Sequence, residues 1–415
     1  MTQSISQPLR RAGVIVVLAF TGSSAAHAQL AVTRAEAERA ALSAGTRVAL
    51  ARADTAAAIA RLLTARAMPN PTLAASYTKS PPQKHLTLDI PVFDVLWKRG
   101  LVVGQASASA RASRLLFASE RLAALVEVDT TYTRALAAEA RFRLSRQTAR
   151  DADSLRKMTV SRRDAGDASD LDVDLATVVA GQQLNVAADD SLTYMSTLLT
   201  VQVLMGIPAD SVAILLSDSL VITSADTLIE RRMLDNTGIG TPSVAAAEAT
   251  LTASELAVSV QKRSVFSLPS VNVGAEWGDP SGDEPGLLPI FGLSIPLPLF
   301  NRNQGPIAEA TAERERARIQ LLATRLTVRQ RLIEGVRERS ALIAKVARDR
   351  DLVVRAQRVA DRSLTAYREG AAGLPAVLEA RRSAREVLGQ YIDDLAALLT
   401  INTELRALTQ TVPVP

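Results

Sequence analysis

Phe291-Gly-Leu-Ser-Ile-Pro-Leu-Pro-Leu-Phe-Asn-Arg-Asn-Gln-Gly305-Pro-Ile-Ala-Glu-Ala310 changes its periodicity once, and the change decides how the chain is read. Before the junction, Phe291, Leu293, Ile295 and Leu297 recur at every second position, the spacing of a strand with one dry face. After it, from Pro306 to Glu369, residues that lose little on entering a helix dominate, and Gly335 is the only breaker. A single helix of about 95 Å is expected there at 1.5 Å per residue.

The junction occurs twice. Ile90-Pro-Val-Phe-Asp-Val-Leu-Trp-Lys-Arg-Gly100 has the length and frame of Ile295 to Gly305, 205 positions earlier; Gly166 and Gly370 are 204 apart, and Pro71 and Pro269 are 198 apart. The drift reflects hairpin loops of unequal length. Each half reads helix, strand, strand, very long helix, turn, helix, an internal repeat. The domains expected are a first repeat over 29–207, a linker or equatorial region over 208–240, a second repeat over 241–408 and a tail over 409–415. Gln105 to Ala165 lacks both proline and glycine and makes a helix of about 90 Å. The last helix, opening near Pro375, carries a coiled-coil seam in Ala384, Leu388, Tyr391, Leu395, Leu398, Asn402 and Leu405.

Four short segments alternate at period two, forming hairpins at about 71–91 and 269–297. Leu73, Ala75 and Tyr77 oppose Thr72, Ser76 and Thr78; Leu86, Leu88 and Ile90 oppose His85, Thr87 and Asp89; Val271, Val273, Ala275 and Trp277 oppose Ser270, Asn272 and Glu276. A soluble sheet alternates in the same way, so composition decides which solvent the dry face meets. Tyr77, Phe93, Trp97, Phe266, Trp277, Phe291 and Phe300 fall in or beside these hairpins, half of the chain's aromatics (Trp 2, Tyr 5, Phe 7). Aromatic girdles mark the water boundary of membrane barrels. Two hairpins cannot close a barrel without leaving backbone unpaired in lipid, so several chains must share one.

Residues 1–28 read as a cleaved export signal: Arg10 and Arg11, an apolar core from Ala12 to Phe20, and a small-x-small site at Ala26-His27-Ala28. Without the two signal arginines the formal charge falls from +5 to +3, and basic residues alternate with acids, as in Arg314-Glu315-Arg316 and Arg337-Glu338-Arg339. Such faces are solvated and are no nucleic-acid stripe. Cysteine is absent and only His85 remains after the signal, which removes thiolate chemistry, an N-terminal lipid anchor and most histidine-based catalysis. No catalytic residue, cofactor site or metal site is assigned, and the chain is read as no enzyme.

The stretch from Phe291 to Ala310 resembles the strand-to-helix junction of the TolC-like outer-membrane efflux family, in its heavy-metal cation (cobalt-zinc-cadmium resistance) branch. The turn at Tyr367-Arg368-Glu369-Gly370 resembles the family's periplasmic tip, and the likeness covers nearly the whole mature chain. It implies a mainly α protein with a small transmembrane β part: a homotrimer whose protomers each give four strands to a twelve-stranded outer-membrane barrel, continued by a long α-helical periplasmic barrel. It further implies passive export of heavy-metal cations, with a periplasmic adaptor (membrane fusion protein) and an inner-membrane pump of the RND type as partners. An exit duct for drugs or type I secretion is the alternative cargo reading. A soluble periplasmic coiled-coil adaptor or scaffold, the rival from another class, has no need of duplicated hairpins with aromatic margins.

The family's tip carries Arg-x-Gly-x-x-Ser/Thr, which meets the adaptor. Arg368 and Gly370 match with Gly373 in the hydroxyl position; Gly166 and Ser169 match with the arginine one place early, at Arg163. Asp167, Asp170, Asp172 and Asp174 cluster at the first tip and have two readings. Threefold symmetry would make them an acidic ring at the entrance, selecting cations; alternatively Ser169 or Asp170 caps a helix whose first turn carries acids. His85, Thr87, Asp89, Asn272 and Glu276 are expected to line the barrel lumen as a solvated wall.

Overall fold

The computed structural model describes residues 30–80, 82–92, 97–210, 213–221, 240–265, 269–278, 280–281, 286–295 and 297–409. The expected export signal, most of the 208–240 linker, the end of the tail, and Phe93 and Phe266 lie outside the described residues.

The long helices are as long as the unbroken stretches require. Helix α3 (Arg99–Asp164) has 66 residues, and its counterpart α6 (Gln304–Arg368) has 65. Each is about 100 Å long. Helix α3 begins six residues before the expected Gln105 and takes in Gly100 and Gly104, beside which an added Cβ would meet nothing. At each far end the chain turns back: α3 into α4 (Asp170–Leu204), α6 into α7 (Leu374–Thr409). Gly166 (φ 85°) and Gly370 (φ 76°) supply the left-handed residue of the two turns, a conformation that costs other residues.

Shorter helices flank the other halves of the two struts. Helices α1 (Arg34–Ala44) and α2 (Thr46–Arg66) lie along α3, where Arg47 pairs with Glu120 and Glu127 at 2.6 and 2.9 Å. Helix α5 (Pro242–Arg263), opened by a first-turn proline, packs against both α3 and α6, and Arg325 of α6 meets its Glu248 at 2.6 Å. Thus α2 and α4 each cover part of α3, and α5 and α7 each cover part of α6.

At mid-height sits an element that periodicity could not show. Strand β1 (Leu30–Val32) pairs in parallel with β4 (Ile214–Leu216), placing a strand inside the expected linker. Three residues are too few to display an alternation. Val32 and Ile214 pack with Ala37, Val128, Tyr132, Val201 and Met205. Tyr132 Oη lies 2.9 Å from both the Val32 carbonyl and an Asp218 carboxylate oxygen, and Asp218 also accepts the Arg34 amide at 2.7 Å. Buried Asp129 of α3 accepts the Arg34 guanidinium and the Thr403 hydroxyl of α7, so three chain segments meet at one carboxylate.

The four hairpin strands form one antiparallel sheet in the order β2 (Thr72–Tyr77), β3 (Lys84–Ile90), β5 (Ser270–Trp277), β6 (Leu288–Ser294). The two hairpins join through β3 and β5, from Lys84 opposite Trp277 to Ile90 opposite Val271. One boundary needs correction: β6 ends at Ser294, so Ile295 and Leu297 lie beyond it. The sequence supplies the reason, since Pro296 has no amide to give to a ladder.

On α7 the expected seam is buried at Leu395, Leu398, Asn402 and Leu405, while Ala384, Leu388 and Tyr391 are half-buried. Ile401 is buried with them in the cluster against α6; Ile392 and Leu399 are buried as well, and α7 also meets α3, where Arg141 and Asp393 form an ion pair. Gly335, the lone breaker of α6 beyond its first turn, lets α7 come close: a Cβ there would stand 2.8 Å from Leu405 Cδ2 and 3.2 Å from Ile401 Cδ1. Gly335→Leu should therefore destabilise the α6–α7 pair by about 1–3 kcal/mol through overpacking, read as a lower denaturant midpoint of the helical signal.

Candidate functional site

Residues opposite one another in an antiparallel ladder share a face, so the register assigns every strand side chain to one of two surfaces. One surface carries Leu73, Leu88, Val273 and Phe291 in a single row, flanked by the row Ala75, Leu86, Ala275 and Pro289. The other carries Thr72, Asp89, Asn272 and Gly292, then Thr87 opposite Gly274, then Ser76, His85 and Glu276. His85, Thr87, Asp89, Asn272 and Glu276 are thus brought together on the polar face. The apolar face is bare: Leu73 is 65% exposed and Phe291 78%.

Two contacts tie the polar face together across the hairpins. His85 Nδ1 lies 3.0 Å from Glu276 Oε2, and Nε2 lies 3.1 Å from Thr78 Oγ1. Ser270 Oγ donates to Asp89 Oδ2 at 3.0 Å. The sequence named His85 and Glu276 separately; period two fixes a residue's face but not which strand lies beside it. Among the described residues no group of three or more His, Cys, Asp or Glu gathers as a metal site. One imidazole, one carboxylate and a hydroxyl form a hydrogen-bonded row on this face. No helix among the described residues is long and apolar enough to cross a membrane.

The two helical turns pack against each other at the opposite end of the molecule. Arg162, which the sequence reading passed over in favour of Arg163, joins them: its guanidinium lies 4.6 Å from the centroid of the Tyr367 ring and donates to the Tyr367 carbonyl. Tyr367 Oη is 3.2 Å from Thr159 Oγ1, and Leu155, Ala176, Leu374 and Val377 bury the ring. A cleft of about 320 Å³ between the turns is lined by Arg162, Asp167, Asp172, Tyr367 and Gly370. The spacing of Arg162 from Thr159, one helical turn earlier on the same face, was the available signal.

The expected tip residues divide by what already occupies them. Ser169 is the N-cap of α4: its hydroxyl accepts the Asp172 amide at 3.1 Å, and Asp172 Oδ2 accepts from Ser169 N and Oγ at 3.1 and 2.8 Å. Asp172 therefore closes a capping box. Arg163 pairs with Asp164 at 2.7 Å and approaches Asp170 at 3.7 Å, which together hold the guanidinium above its ordinary pKa, the Asp164 hydrogen bond contributing most. Asp167, Asp174, Arg368 and Gly370 are exposed.

This arrangement is the protomer fold of outer-membrane channels. The chain superposes on CusC, a transmembrane channel protein, with a TM-score of 0.72 at 14% identity, covering 95% of this chain and 96% of that one. The outer membrane protein VceC of Vibrio cholerae matches with a TM-score of 0.73 at 17% identity, covering 91% and 96%. The CmeC outer membrane channel of Campylobacter jejuni matches with a TM-score of 0.72 at 14% identity, covering 91% and 85%. Residues 234–410, less than half of the chain, match the family described as outer membrane efflux protein. No curated protein matches the chain by sequence.

Removing the Arg162 contacts should open the tips locally without unfolding the helices. Arg162→Ala is expected to cost about 1–2 kcal/mol there, raising protease nicking at residues 165–169 and 369–373 roughly tenfold. Arg163→Ala, which removes only exposed ion pairs, should leave nicking nearly unchanged.

Proposed function

We propose that this chain is the outer-membrane channel of a tripartite, RND-type efflux system, a passive duct from a periplasmic adaptor and inner-membrane pump to the exterior. Three copies close a barrel from their four-stranded sheets, and their long helices extend it as a tunnel through the periplasm. The observation that carries this reading is the open sheet: β2 and β6 have no outer partner among the described residues, and the dry face beside them is uncovered. Lipid tolerates neither bare edges nor a monomer that keeps them.

The helices support the same assembly. Leu192, Met195, Leu199 and Val203 on α4, and Ile319, Leu322 and Leu326 on α6, are exposed at coiled-coil spacing with no helix over them among the described residues. A neighbouring copy supplies one. Purified mature protein should be extracted from outer membranes as a heat-resistant trimer and conduct in planar lipid films. A monomer soluble without detergent, giving no conductance, would exclude the assembly.

Heavy-metal cations are the cargo we favour, from the junction residues Phe291 to Ala310 and from the carboxylates at the tunnel mouth. Asp167, Asp170 and Asp174 keep exposed carboxylates and form the entrance ring of this proposal, while Asp172 serves the cap. Arg163, Gly166, Ser169, Arg368 and Gly370 form the surface on which the adaptor docks. The triple change Asp167→Asn, Asp170→Asn and Asp174→Asn should lower the cation-to-anion permeability ratio of single channels severalfold. An unaltered ratio would retire the ring; drugs are the cargo if metal salts fail to compete for export.

A further inference from the structure

The α6–α7 interface buries two aspartates at the same height. Asp349 of α6 is 8% exposed and Asp394 of α7 is 4% exposed, between packed layers that include Val346, Leu395 and Leu398. Asp394 Oδ1 accepts Lys345 Nζ at 2.7 Å and Gln390 Nε2 at 3.0 Å. One oxygen of each carboxylate, Asp349 Oδ2 and Asp394 Oδ2, is buried with no hydrogen-bond partner. Two ionised carboxylates here would set like charges side by side in the packed interface, and two adjacent acceptor oxygens cannot satisfy each other. One proton between them resolves both faults.

We propose that Asp349 and Asp394 hold a single proton between them at neutral pH, making the α6–α7 seam a proton-dependent joint midway along the helical hairpin. Asp349 carries the proton and donates it to Asp394, which stays ionised against Lys345. Burial and the adjacent Asp394 raise Asp349 above the ordinary carboxylate range. Asp394, although burial pushes it upward, is held below its ordinary value by the hydrogen bonds from Lys345, Asp349 and Gln390.

None of the other charges around the joint hydrogen-bonds to Asp349 Oδ2 or Asp394 Oδ2. On α6, Arg348 lies near Asp349 and Arg350 lines the adjoining groove. On α7, Asp393 turns away to Arg141 of α3. The sign follows from the two directions: the contribution of Asp349 is complete below its unfolded value and lost as pH rises through its raised folded value. That of Asp394 is present above its unfolded value and lost as pH falls through its lowered one. The seam is therefore tightest between these limits, and alkali loosens it by leaving two like charges in the core.

Hydrogen exchange on the full-length protein in detergent, corrected for the intrinsic pH dependence of amides, reads this directly. In the wild type, amides of residues 342–352 and 387–398 should open by up to about tenfold more per pH unit on the alkaline limb. Asp349→Asn, neutral at every pH and still a donor, should abolish that dependence, whereas Asp393→Asn should leave it intact. Infrared spectra with isotope-labelled aspartate should show a protonated carboxyl at neutral pH that is absent from Asp349→Asn. A wild-type seam whose opening ignores pH, an alkaline slope unchanged in Asp349→Asn, or the absence of a protonated carboxyl in the wild type would overturn the proposal. The infrared measurement on the wild type decides even if the variant does not assemble. None of these readouts depends on conductance, so they stand or fall apart from the channel reading.

Discussion

A backbone amide or carbonyl on a strand edge needs a hydrogen-bonding partner, and that single constraint organises the sheet end of the molecule. The two hairpins satisfy one another through β3 and β5, while β2 and β6 have no outer partner among the described residues. Alternation along the strands gives that sheet one apolar and one polar face. Glycine and short side chains on the wet face leave room there; at Gly274 a Cβ would stand 2.4 Å from the Leu86 carbonyl, so β3 and β5 approach without one.

Below the sheet the problem is reversed. Two struts of about 100 Å have far more surface than one chain can bury, and the shorter helices cover each only in part. Exposed apolar stripes on α4 and α6 remain, and the ion pairs that decorate the outside add little beyond solubility. Specific polar contacts are reserved for the places where segments distant in sequence meet: Asp129 with Arg34 and Thr403 at mid-height, Arg162 with Tyr367 at the tips. Buried polar groups tolerate few alternative partners, so these contacts fix the alignment of helices that hydrophobic packing alone would let slide.

What could be read from the sequence was whatever repeats with a period. Helix length followed from the absence of breakers, strand faces from alternation, and the two-fold plan from the junctions at Ile90 and Ile295. That His85, Thr87, Asp89, Asn272 and Glu276 share one face of the sheet was legible, since they alternate with apolar neighbours. The contacts between periodic elements were not: the His85–Glu276 pair depends on which strands are neighbours, and the β1–β4 pairing involves runs too short to register. Arg162 was hidden by a motif that drew the eye to Arg163, and the Asp349–Asp394 pair by the abundance of acids on solvated faces. Burial of an individual carboxylate is a property of the packed helices, and no local pattern announces it.

The mid-height belt has a mechanical meaning. Only α3 and α6 run through it unbroken, while α2 and α4 on one side and α5 and α7 on the other cover different parts of them. From Asp129 to the end of α3 is a rigid lever arm of about 50 Å. A pivot of roughly five degrees at its fulcrum sweeps the far end through about 4–5 Å, close to the width of one helical turn. A small adjustment where three segments clasp one carboxylate is thus geared up into a displacement large enough to alter an aperture.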